Sequence, residues 1–295
     1  MRWTASLKKA AVLVLAATLA ACQTAQTPSV PSPSATSAPV QSAALPAVAY
    51  APATAVERGY SALVLDASTG QELYAVDADA ARYPASLTKM MTLYLLFDAV
   101  SAGRYSLSSA LTVSAKAASQ PPAKLGLKAG STITVEQAAR AIAVKSANDV
   151  ALTIAENLAG SEDAFARQMT QQARALGLNR TRFVNATGLP DTAQVTSARD
   201  MATLGLALKR RFPQYASYYR ATSYSYGGRT FRATNNLLGK VQGVDGLKTG
   251  YIRLSGYNLV ATANRGGKRL IVVVIGGQSE AARDREVTRL IEAYS

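Results

Sequence analysis

Hydrophobic and polar positions fall into three regimes along this chain. A short apolar run occupies residues 10–21, and from 23 to about 56 Pro, Ala, Ser and Thr dominate with no charged residue. Regular patterns begin only near Glu57. There 60–66 and 72–76 read as strands, joined at Ser68-Thr69-Gly70 into a hairpin. After Pro84, 87 to about 102 is a long apolar helix that stops at Gly103. Thr134-Val135-Glu136-Gln137 resembles a capping box opening a helix to about 144. Further helices are predicted from about 149 to 158, from 163 to 176 and from 198 to 210, the first two ending at Gly160 and Gly177. Residues 256–263 and 269–275 read as strands, connected through Asn264-Arg265-Gly266-Gly267-Lys268, and 280–294 as a closing helix. Strands at both ends of the domain with helices between them predict an α/β fold. Its antiparallel sheet unites the two ends of the chain, and a helical block lies between them. No internal repeat is visible.

The opening residues point to export. Arg2, Lys8 and Lys9 precede the apolar run 10–21, which is short of the roughly 20 residues that span a bilayer, so 1–21 reads as a signal peptide. It ends Leu19-Ala20-Ala21-Cys22, similar to a bacterial lipobox, in which the cysteine thiol takes a diacylglycerol and the chain is cut before it. Removal of 1–21 takes away those three cations and leaves +11 of the net +14. The segment 22–56 holds six of the eleven prolines and cannot bury a core, so it reads as a disordered tether. At about 3.1 Å per residue it would reach roughly 100 Å when extended. The folded domain is expected at 57–295, on the periplasmic side of a bacterial envelope and held to a membrane through Cys22.

Composition then narrows the chemistry. The chain has no histidine, which removes the Ser-His-Asp triad, the Cys-His pair and imidazole-based zinc sites. Its single cysteine, Cys22, excludes an internal disulfide. No cofactor and no metal site are expected. The net charge of +14 suits an anionic partner such as cell-wall polymer or a membrane surface. There is no basic run, zinc-finger spacing or aromatic-rich RNA motif, so nucleic acid is not expected as a partner. A serine hydrolase built from this alphabet takes its base from Lys, Asp, Glu or Tyr, and lysine is the known alternative.

Three short motifs supply such a site: Ser86-Leu87-Thr88-Lys89, Ser146-Ala147-Asn148 and Lys248-Thr249-Gly250. Serine-x-x-lysine alone says little, since Ser6-Leu7-Lys8-Lys9 also matches it. Ser86 differs in following Tyr83-Pro84-Ala85 at the start of a strong helix, where unpaired N–H groups gather and Lys89 lies one turn on. Each motif has a plain structural explanation by itself: a helix cap with a solvated lysine, a polar connection in which Asn148 caps the next helix, and a strand entry. Their order and domain-scale gaps make three such coincidences a poor account of the set.

On these residues the chain resembles the bacterial serine-type D-alanyl-D-alanine carboxypeptidases, the low-molecular-mass penicillin-binding proteins of peptidase family S11. The likeness runs from about Tyr60 to the C-terminus. It includes Asn185-Ala186-Thr187-Gly188-Leu189-Pro190, Ser197-Ala198-Arg199-Asp200-Met201 and Gly246-Leu247-Lys248-Thr249-Gly250-Tyr251. The resemblance implies a β-lactamase/transpeptidase-like fold. It makes Ser86 the nucleophile and Lys89 its base, kept neutral by burial and by Lys248. Ser146 would relay a proton to the leaving amine. Asn148 would hold the substrate and orient Lys89. The N–H groups of Ser86 and Tyr251 would form the oxyanion hole, Thr249 would grip the terminal carboxylate with help from Arg283, and Gly250 would permit close approach. Arg199 is expected to do structural work. Substrates would be peptidoglycan stem peptides ending in D-Ala-D-Ala, with β-lactams as acylating inhibitors.

The alternatives are a D,D-endopeptidase or transpeptidase of the same mechanism and a β-lactamase. Class A β-lactamases carry a glutamate that activates the deacylating water. Here Ala175 stands three positions before Leu178-Asn179, and Ala147 occupies the centre of the second motif. Many members of the family carry a β-rich second domain and an amphipathic anchor after the catalytic one. This chain stops after the helix at 280–294, so the N-terminal lipid is expected to replace that anchor.

Overall fold

The computed structural model describes Val56 and residues 58–295, so the signal, lipidation and tether expectations fall outside the described residues. The elements run β1 (Ser61–Asp66), β2 (Glu72–Val76), α1 (Lys89–Ser101), β3 (Ala110–Thr112), α2 (Ala115–Ala118), β4 (Thr132–Thr134), α3 (Val135–Lys145), α4 (Asn148–Ala159), α5 (Glu162–Ala175) and α6 (Ala198–Arg211). After these come α7 (Ala216–Arg220), β5 (Ser223–Tyr226), β6 (Arg229–Arg232), β7 (Val244–Ile252), β8 (Gly256–Arg265), β9 (Lys268–Gly277) and α8 (Glu280–Tyr294).

Five strands form one sheet in the order β2-β1-β9-β8-β7, and every neighbouring pair is antiparallel. The first strand therefore lies beside the last, as the split distribution of strand patterns predicts. Alternation along the strands sorts side chains onto two faces. Leu63, Val260, Ile271 and Val273 join the core with α1 and α6. Val64, Leu259, Ala261, Val272 and Val274 pack with Val287, Leu290 and Ile291 of α8, spaced to form one helix stripe.

Helix α1 has few polar positions because it is enclosed on most sides, contacting α3, α4, α5 and α6. Its first residue, Lys89, is fully buried as a consequence. The capping box of α3 forms as expected: Gln137 N donates to Thr134 Oγ1 and Thr134 N donates to Gln137 Oε1. The final hairpin is longer than the sequence reading, its strands reaching Arg265 and Lys268 around the Gly266-Gly267 turn. The small β3–β4 and β5–β6 pairs and α7 carry too little hydrophobic period to be read from sequence.

Candidate active site

Ser86 lies in a 3-10 turn, Ala85–Thr88, that runs directly into α1. Ala85 is fully buried with φ of 50°, a left-handed conformation costly for a residue with a Cβ. Surrounding contacts hold this turn. Asn258 Nδ2 donates to the carbonyls of Tyr83 and Pro84 at 3.1 and 3.2 Å, while its Oδ1 accepts from Gly276 N at 3.0 Å. Strands β8 and β9 thereby fix the turn. Two glycines let neighbouring chain approach it. A Cβ on Gly188, whose φ is 78°, would fall 1.9 Å from the Ala85 carbonyl oxygen. One on Gly250 would lie 3.1 Å from Ser86 N.

Lys89 Nζ has three oxygen neighbours: Ser86 Oγ at 3.0 Å, Asn148 Oδ1 at 2.7 Å and the carbonyl of Thr187. A neutral amine has two N–H donors and one lone pair. Asn148 and Thr187 can offer only oxygen acceptors there, so they take the two protons. The lone pair is left facing the Ser86 hydroxyl. Burial lowers the Lys89 pKa well below its usual range, and the Lys248 charge lowers it further, against an opposing pull from Asp149. The site therefore favours a lysine that can accept a proton. Thr187 is a participant the three motifs do not contain. Its carbonyl is placed by Asn185, whose Oδ1 accepts from Thr187 N and Gly188 N at 3.2 and 2.7 Å.

Ser146 ends α3 in the left-handed region, φ 62°, and its buried hydroxyl has no hydrogen-bond partner among the described residues. Leaving such a group unpaired costs about 1–3 kcal/mol, so the site retains an unsatisfied donor facing the cleft it lines. Asn148 does not cap α4 with its side chain; the cap position is Ala147, and Asn148 turns to Lys89 instead. It also donates from Nδ2 to the Pro121 carbonyl at 2.9 Å and from its backbone N to Ala123 O at 2.7 Å.

The next residue, Asp149, is fully buried. Its carboxylate accepts from the N–H groups of Leu125, Gly126 and Leu127 at 3.0, 2.8 and 3.0 Å. Asn148 and Asp149 together hold the 121–127 loop, whose Pro122 and Ala123 form one wall of the cleft. Asp149→Ala would strand three buried donors. It is expected to destabilise the fold by roughly 3–5 kcal/mol, since each buried donor left without a partner costs about 1–3 kcal/mol. Denaturant titration measures this, and hydrogen exchange should show lost protection at 125–127. Unchanged protection there would refute the assigned role of the carboxylate.

The cleft, about 330 Å³, is lined by Ser86, Ser146, Asn148, Thr249, Tyr251 and Arg283 among others, and so brings the three motifs together. Lys248 sits within β7 rather than at a strand entry; it is buried, and its Nζ donates to Thr249 O at 2.9 Å. Burial, helped by the charge of Arg283, pushes its pKa down to about 7. Thr249 Oγ1 lies 2.7 Å from Thr234 Oγ1, a neighbour the sequence reading did not single out. Tyr251 is 53% exposed and packs tilted against Tyr257, with ring centroids 4.3 Å apart. Arg283 pairs with Asp284, at 2.9 and 2.5 Å, and only 2% of its side chain is exposed. Arg199 is engaged elsewhere, with Asp79 and Glu72. A larger cavity of about 780 Å³ also touches Arg283 but none of the serines or lysines. Among the described residues no three His, Cys, Asp or Glu side chains gather to hold a metal.

A family profile described as Peptidase S11, D-alanyl-D-alanine carboxypeptidase, matches residues 49–279. The chain is 39% identical over 238 residues to D-alanyl-D-alanine carboxypeptidase DacA of Escherichia coli K12, covering 78% of this chain and 59% of that protein. It thus spans less than two thirds of that relative. Penicillin-binding protein 5 of Haemophilus influenzae superposes with a TM-score of 0.77 and 31% identity, over 82% of this chain and 72% of that one. Penicillin-binding protein D2 of Listeria monocytogenes, solved in an ampicillin-bound form, gives a TM-score of 0.68 and 32% identity, over 79% and 95%.

Proposed function

The chain belongs to the Peptidase S11 family of D-alanyl-D-alanine carboxypeptidases, and from that premise we propose that it removes the terminal D-alanine from peptidoglycan stem peptides and is acylated by β-lactams. The observation that carries the reading is Lys89 Nζ, 3.0 Å from Ser86 Oγ and buried in a chain without histidine. Ser86 Oγ attacks the carbonyl carbon of the penultimate D-alanine as its proton passes to Lys89. N–H groups at Ser86 and Tyr251 receive the oxyanion, each such donor being commonly worth about 3 kcal/mol. The C–N bond then breaks, the departing amine takes a proton through Ser146, and water releases the acyl group. Lys248 and Thr249, with Arg283 behind them, receive the terminal carboxylate. With a β-lactam the same attack opens the ring, and the amine stays tethered to the acyl-enzyme.

The reading extends to the cell envelope. The domain works on the periplasmic side, carried on the 22–56 tether from a diacylglycerol on Cys22. Mass spectrometry of the first peptide from protein made in its native host is expected to show that lipid. An unmodified thiol would remove the anchor.

Incubation of the unaltered protein with a peptide ending in D-Ala-D-Ala is expected to release free D-alanine. No release, with rapid turnover of penicillin, would make the protein a β-lactamase. Cleavage of cross-linked stem-peptide dimers in preference to the linear peptide would make it an endopeptidase.

A further inference from the structure

Beside the cleft lies a group of cations with no carboxylate partner among the described residues. Lys145, immediately before Ser146, stands over the Phe231 ring with Nζ 5.6 Å from its centroid, and Arg229 approaches the same ring at 5.0 Å. The two charges are therefore within about 11 Å of each other, close to the Debye length of about 8 Å at physiological salt. An arriving anion would feel both. Arg229 also lies against the cleft-wall loop, 3.8 Å from where a Cβ on Gly126 would stand. Lys124 belongs to that loop, and Arg232 leads into Thr234, which lines the cleft and bonds back to Val144 at the end of α3.

Elsewhere on the molecule, Arg82, Lys116, Arg140, Arg199, Lys209, Arg211 and Arg289 pair with carboxylates. None of the salt bridges among the described residues uses Lys124, Lys145, Arg229 or Arg232. Of the acids around the cleft, Asp149 is buried against the loop N–H groups, Glu136 is held by Arg140, and Glu280, which lines the cleft, pairs with Arg283 at 3.7 Å. Like charges are thus gathered on one rim with their counter-charge missing, an arrangement that raises the local concentration of anions.

We propose that this rim, Lys145 and Arg229 above all, binds free carboxylates on the substrate peptide upstream of the scissile bond. The ligand's identity rests on the peptidase reading; the anion-binding surface does not. It would make the enzyme prefer stem peptides that keep their side-chain carboxylates over ones in which these are amidated.

The test is direct binding, followed by fluorescence anisotropy on the full chain carrying Ser86→Ala so that the peptides stay intact. Two labelled peptides ending in D-Ala-D-Ala are compared, one with two free carboxylates upstream and one with both amidated. The acidic peptide is expected to bind about tenfold more tightly at 50 mM salt, with the difference disappearing near 500 mM, since exposed pairs are weak singly and screened by salt. Lys145→Gln with Arg229→Gln should reduce the difference to about twofold. Arg265→Gln with Lys268→Gln makes the same change in net charge at the far end of β8, some 30 Å from Tyr257 along the strand, and should leave the difference intact. Equal binding of the two peptides, or a difference that survives loss of Lys145 and Arg229, overturns the proposal. Absence of D-alanine release by the active protein would overturn the peptidase reading alone.

Discussion

Lys89→Ala is expected to slow acylation of Ser86 by a penicillin by about 10³-fold, within the usual range for a positioned general base. The loss should persist from about pH 6 to 11, a window that spans the free lysine pKa. No histidine exists to take over, and the other groups around the Lys89 amine do not supply a base. Asn148 and the Thr187 carbonyl, which accept from Lys89, bind no proton in this range. Stopped-flow acylation with a chromogenic β-lactam gives the number. A variant retaining near wild-type acylation would make the Ser-Lys mechanism untenable and turn attention to a carboxylate or Tyr251.

Lys248→Met should act differently, in three measurable ways. A buried charge lost from a carboxylate site typically costs 2–5 kcal/mol, so KM for a D-Ala-D-Ala peptide should rise by about 10²-fold, more than kcat falls. The pH profile should move at both ends. In the unaltered protein Lys248 loses its proton as pH rises through about 7, so carboxylate affinity falls on that side, and the variant lacks this limb. Its acid limb should shift to higher pH, because Lys89 no longer feels a second cation. Stability carries the third signature. Between about 7 and 10.5 the unfolded chain protonates Lys248 while the folded one does not. Stability therefore rises with pH through that window. Denaturant midpoints at pH 7.5 and 9.5 should differ less in Lys248→Met than in the unaltered chain. An equal pH slope in both proteins would contradict the assignment.

Much of this site was legible because its chemistry is local. Ser86 and Lys89 are three residues apart, and a proline-broken segment before an apolar helix is enough to put them on one turn. The long elements were legible for a similar reason: α5, α6 and α8 carry polar and apolar faces, and their starts carry side-chain caps at Ser161, Ser197 and Ser279. What escaped was held by long-range backbone contact. Thr187 acts through a carbonyl, which any residue possesses, and Asn258 acts through strands β8 and β9. The fate of Arg283 depended on burial, not on sequence distance: its neighbour Asp284 was visible, but not that both would be enclosed. Asn148 had two readings, a helix cap by its position and a partner of Lys89 by the resemblance, and the fold takes the second. The β5–β6 pair turns Tyr224, Tyr226 and Phe231 towards the core, but at four residues a strand the alternation is too brief to stand out in the sequence.

The sheet order sets a timetable for biosynthesis. Strand β1 is made early but pairs with β9, one of the last segments to be synthesised, and pairing over such a separation is slow to nucleate. The serine and its lysine are already present in a nascent chain that lacks β7, β8 and β9. Until those strands arrive, Lys248, Thr249, Asn258 and Gly276 do not exist, and nothing ties down the nucleophile turn. A polypeptide truncated anywhere before residue 244 would carry the nucleophile without the means to use it. Under the proposed function, activity would begin only once β7, β8 and β9 have joined the sheet, and a shorter copy is expected to be inert towards substrate and β-lactam alike.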